Sequence, residues 1–147
     1  MSRRAFVLIA WLLVGCSSDE VPAAEPPADQ ARACRTLVSA LPSRVDGDLD
    51  SGRSQYAAAW GDPQIVLKCG VAVPSGYEKT SEMIAVNGVA WFGEEQPEGY
   101  LFTAVGRTPL VEVYVPDSHQ PEVNPLVDLA EPMQKYTEVS GPAGVVE

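Results

Sequence analysis

Apolar residues recur at Cys34, Leu37, Val38 and Leu41, the i, i+3, i+4, i+7 spacing of one helical face, and predict a helix over residues 29–41. From Gln64 the period changes to two: Ile65, Leu67 and Cys69 share one side of a strand. Residues 83–86 and 89–92 flank Asn87-Gly88, a hairpin signal because both turn positions need positive φ; one long strand bulged at Gly88 is the competing reading. A second pair, residues 100–105 and 110–115, surrounds Gly106-Arg107-Thr108-Pro109. There Val111, Val113 and Val115 alternate with Glu112 and Tyr114, so one face is core and the other wet. Asn124-Pro125 offers an N-cap and an N1 proline for a last helix with Leu126, Leu129, Ala130 and Met133 on one stripe, which Pro132 is expected to kink or shorten. The fold class is α+β, a small antiparallel sheet of about four to five strands with two helices packed on it.

The N-terminus follows another pattern. Arg3 and Arg4 precede an apolar run from Ala5 to Val14, too short for a permanent transmembrane helix, and Leu13-Val14-Gly15-Cys16 closes it. Residues 1–15 read as a lipoprotein signal peptide, with Cys16 the lipidated first residue of the mature chain. Acyl chains there would anchor stably at about 0.8 kcal/mol per buried methylene. Residues 16–31, rich in Pro, Ala and acids, read as a disordered linker that holds the domain a few nanometres off the membrane. Residues 32–138 form a single domain and residues 139–147 a flexible tail.

Charge narrows the partners. The chain carries 10 Lys plus Arg against 20 Asp plus Glu, and loss of Arg3 and Arg4 with the signal brings the net charge from −10 to −12. Such a balance repels phosphate backbones and excludes a nucleic-acid role. The expected location is the extracytoplasmic face of the cell membrane, reached through the lipid anchor.

With Cys16 acylated, Cys34 and Cys69 remain, and an exported protein is expected to pair them. Cys34 lies on the buried stripe of the first helix and Cys69 on the apolar side of its strand. Both thiols point into one helix-on-sheet layer. A metal-binding or reactive pair lacks Cys-x-x-Cys spacing and a nearby histidine.

With these elements placed, a family resemblance emerges. Cys34 through Leu41-Pro42, Ala59-Trp60-Gly61-Asp62-Pro63, Leu67-Lys68-Cys69-Gly70-Val71, Val86-Asn87-Gly88-Val89-Ala90-Trp91, and Val105-Gly106-Arg107 through Val113-Tyr114-Val115-Pro116 are the segments that carry it. Over nearly all of residues 34–130 the chain resembles the actinobacterial family catalogued as domain of unknown function 3515, small secreted or lipid-anchored proteins. The resemblance implies an envelope location and a Cys34-Cys69 pair. It brings no catalytic residues.

Direct chemistry is sparse. His119 is the single histidine and sits in a polar run, Pro116-Asp117-Ser118-His119-Gln120-Pro121, where it reads as solvated. Nucleophile-elbow, Ser-x-x-Lys, phosphate-loop and His-Glu-x-x-His patterns are absent. Glu94, Glu95 and Glu98 read as a solubilising turn. Asp46, Asp48 and Asp50 match positions 1, 3 and 5 of a calcium loop, but Ser51 and Ala57 stand where glycine and glutamate are needed. No metal or other cofactor is assigned.

Trp60, Trp91 and Arg107 are the candidate binding residues, since Trp and Arg dominate interface hot spots and Arg107 stands at a strand-turn tip where side chains reach outward. The alternative puts both tryptophans in the core. The expected function is a non-enzymatic binding or accessory module that meets an envelope protein or a small ligand. The alternative is an envelope hydrolase using paired carboxylates on wall or lipid substrates.

Overall fold

The computed structural model describes residues 21–141. Helix α1 is Ala31–Ala40, and Cys34, Leu37 and Val38 form its buried face as their spacing requires. A meander of four strands follows: β1 (Arg44–Val45), β2 (Asp48–Arg53), β3 (Ala57–Trp60) and β4 (Ile65–Cys69). After a long loop come β5 (Ile84–Val86), β6 (Val89–Gln96), β7 (Gly99–Thr103), β8 (Arg107–Thr108) and β9 (Val111–Pro116). Helix α2 (Asn124–Tyr136) and the short β10 (Glu138–Val139) complete the described order.

The main sheet has eight strands, not four to five, in the order β1-β2-β3-β4-β9-β7-β6-β5, and a separate ribbon pairs β10 with β8. All its pairings are antiparallel. The extra strands come mainly from residues 44–60. Asp46 and Gly47 both take positive φ, 47° and 86°, and turn β1 into β2, so the aspartate-rich stretch is a hairpin. Strand β3 escaped periodicity because Ala57, Ala58, Ala59 and Trp60 are buried on both faces. Strand β6 also runs on to Gln96, so Glu94 and Glu95 are strand residues and only Glu98 stays in the turn.

Both helices cover one face. Cys34 and Cys69 are joined across that layer with Cα atoms 5.5 Å apart, closing a 35-residue separation. Such a link stabilises by roughly 4 kcal/mol on the chain-entropy view. Trp60, Trp91, Phe102, Val113, Leu126, Leu129 and Met133 fill the same core. Asn124 is the first helical residue, not the cap, and α2 runs through Pro132 to Tyr136. Its apolar stripe is buried on both sides of Pro132, and that packing outweighs the hydrogen bond the proline lacks.

Neither helix ends on glycine, and an arginine from the sheet side serves each C-terminus instead. Arg53 donates to the carbonyls of Val38 (2.5 Å), Leu41 (3.1 Å) and Pro42 (3.0 Å) after α1. Arg107 donates to the carbonyl of Thr137 at 3.2 Å and its hydroxyl at 3.1 Å after α2. These cations meet carbonyls at the negative end of each helix dipole.

The segment ahead of α1 is part of the fold. Val21 is 5% exposed and packs on Ala57 and Ala59, on the sheet face away from the helices. Pro26 is buried against Gly70, where a Cβ would come within 2.1 Å of the proline ring and 3.3 Å of the Cys34 sulfur. The Pro27 carbonyl then accepts from Gln30 N–H at 2.8 Å as α1 begins. Residues 21–27 are thus a strap that passes from the outer sheet face to the helical layer, whereas the sequence suggested free linker. The small, flat side chains of Ala57 and Ala59 provide its seat.

Candidate functional site

The outer sheet face is built from two cross-strand rows. Phe92 pairs with Thr103, Thr103 with Glu112, Glu112 with Lys68 and Lys68 with Ala57. Beside it, Glu94 pairs with Leu101, Leu101 with Tyr114, Tyr114 with Val66 and Val66 with Ala59. Because paired residues share a face, these side chains form one surface. Neither helix covers it.

Two walls border the surface. Val21 and Pro22 of the strap rise over the β3 and β4 side. On the other side the loop after β4 brings Tyr77 edge-on to Phe92, with ring centroids 5.5 Å apart. Next to the strap lies a groove of about 360 Å³ lined by Gln64, Val66, Lys68, Leu101, Glu112 and Tyr114 together with Val21 and Pro22. Its floor combines an apolar strip, Val66 and Leu101, with an ion pair in which Lys68 Nζ stands 3.8 Å from Glu112 Oε1. The Tyr114 hydroxyl donates to the Glu98 carbonyl at 3.0 Å and fixes that ring.

Burial raises the Glu112 carboxyl above its ordinary range, Lys68 opposes the rise, and Glu94 adds to it. In the neighbouring row position the Thr103 hydroxyl is buried without a hydrogen-bond partner among the described residues. A half-buried carboxylate with a perturbed pKa, a partnering ammonium and an apolar strip in one concavity are the ingredients of a binding site. The alternation of Glu112 and Tyr114 had marked this face as wet, but nothing in the sequence showed that a strap and a loop wall it in.

The three candidate binding residues lie elsewhere. Trp60 and Trp91 are 0% exposed in the core, and Trp60 Nε1 donates to the Pro42 carbonyl at 3.0 Å. Arg107 is turned under the α2 terminus and is 9% exposed, where burial lowers its pKa. The outward reach expected of it is overturned by its contacts with Thr137, so it does not contribute to an exposed surface. Cys34 and Cys69 form their disulfide. Cys16 lies outside the described residues.

A second polar cluster was not foreseen. His119 Nδ1 meets Asp46 Oδ2 at 2.8 Å, His119 Nε2 meets Asp48 Oδ2 at 3.3 Å, and Asp46 N–H donates to Asp128 Oδ2 at 2.8 Å. The imidazole side chain is 12% exposed, so it is not the solvated loop residue its neighbours suggested. The two carboxylates sit at opposite ring nitrogens, which pins a hairpin to a loop. Among the described residues no group of three or more His, Cys, Asp or Glu side chains is arranged to hold a metal ion.

A family profile described as "Protein of unknown function (DUF3515)" matches residues 5–140. No curated protein and no solved structure matches the chain.

Proposed function

The chain belongs to the DUF3515 family of proteins of unknown function, and we propose that it is a lipid-anchored envelope protein that works by binding a ligand in its outer-face groove. The observation that carries this reading is the walled groove itself, with the Lys68–Glu112 pair beside Val66 and Leu101. An amphipathic ligand would find apolar area, one cation and one anion within a single concavity. Anchoring is inferred from Arg3, Arg4 and Leu13-Val14-Gly15-Cys16. The partner is an envelope protein or a small molecule of the envelope.

One observation favours the hydrolase alternative. Glu94 and Glu112 lie on the same face in adjacent rows, and Glu94 helps to raise Glu112, the environment that a general acid needs. Photocrosslinking separates the two. With benzoylphenylalanine in place of Tyr114, cells should yield a discrete adduct that Lys68→Glu abolishes, and the same residue at exposed Val127 on α2 should yield none. Lack of an adduct, together with turnover of wall fragments or lipids that Glu112→Gln abolishes, would replace binding by catalysis.

A further inference from the structure

The strap carries a consequence for orientation. Val21 is seated on Ala57 and Ala59, and Pro26 is locked against Gly70 beside the disulfide, so the chain is already part of the fold at Val21. Five residue steps separate Cys16 from Val21. Fully extended, they reach at most ~18 Å, at no more than ~3.6 Å per residue. A domain of this size has a radius of gyration of roughly 14 Å, so such a tether is shorter than the domain is wide.

We propose that the acylated protein rides close against the bilayer with its outer sheet face turned toward the headgroups, so that the groove beside the strap is a membrane-facing site. This rests on the lipid-anchored reading and sharpens it. The tether leaves the fold from the groove's own wall, Val21-Pro22. The helical layer is on the opposite side of the sheet, and turning it toward the lipid would require the chain to pass around the domain. The face presented to the headgroups carries Tyr114, Leu101 and Lys68, residue types that suit the membrane–water boundary. Ligands would reach the groove from the plane of the membrane, and soluble macromolecules from the cell exterior would meet the helices instead.

The experiment uses the acylated full chain in phosphatidylcholine vesicles that contain a lipid with a nitroxide on its headgroup. A fluorescent amino acid is placed either at Gln64, exposed on the groove rim, or at Val127, exposed on α2. Quenching should be several-fold stronger at Gln64. A flexible Gly-Ser insert between Cys16 and Val21, long enough to exceed the domain's width, should bring the two positions to the same level. Equal or reversed quenching in protein that still floats with the vesicles overturns the orientation and leaves anchoring intact. Differences that survive the insert overturn it as well, because the short tether would not be their cause. Failure to float refutes the anchoring and the orientation together.

Discussion

His119 and Asp46, 73 positions apart in the chain, meet through a 2.8 Å contact between Nδ1 and Oδ2 that ties the segment between β9 and α2 to the β1–β2 hairpin. Asp48 Oδ2 lies 3.3 Å from the other ring nitrogen, so the imidazole is held between two carboxylates of the hairpin. Asp46 also uses its own N–H toward Asp128 at the start of α2, so the hairpin tip is held from two directions.

Replacing His119 by alanine should therefore loosen the hairpin and cost about 1–3 kcal/mol, the range for an unpaired, partly buried polar group. Urea unfolding of H119A, D46N and the double variant measures it. The double variant should lose markedly less than the sum of the singles. Strict additivity would mean that the contact contributes nothing.

Arg107 is expected to matter for stability. Arg107→Met would keep much of the stem's packing but leave the Thr137 carbonyl and hydroxyl without their donor, at a cost of about 1–3 kcal/mol. Thermal unfolding should shift down, with the loss of amide protection concentrated in the last turn of α2 and the β8–β10 ribbon. A variant as stable as the parent would show that the α2 terminus does not depend on this guanidinium.

Glu112 sets a pH dependence. Burial raises its folded-state pKa above the ordinary value of 4.5, so the folded protein holds this proton more tightly than the unfolded chain does. Its favourable contribution is full below the ordinary carboxylate range and is lost as pH rises through the raised value. Relative to Glu112→Gln, the parent should become progressively less stable across that interval, as read by denaturant midpoints at successive pH values. A constant difference would mean that Lys68 offsets the burial.

Much of the helix-covered face was legible in the sequence, and the outer face was not. Cys34, Leu37 and Val38 declared α1 by their spacing, and Val111, Val113 and Val115 declared the inner side of β9 by alternation, because each element is buried on one side only. Strand β3 is buried on both sides and has no such period. Asp46-Gly47 did carry a hairpin signal, but it was obscured by the carboxylates that also suggested a calcium loop. The strap was hidden by composition: a Pro-, Ala- and Glu-rich stretch reads as solvated, and the burial of Val21 and Pro26 depends on alanines and a glycine more than thirty residues away. For the same reason Arg107 looked like a turn-tip residue, since the α2 terminus that it serves lies about thirty residues further along.

Both the proposed location and the membrane-facing groove depend on Cys16, and metabolic labelling with a fatty-acid analogue tests that residue most directly. The parent protein should incorporate the label and Cys16→Ala should not. Equal labelling of the two proteins, or none in either, would contradict the lipid anchor.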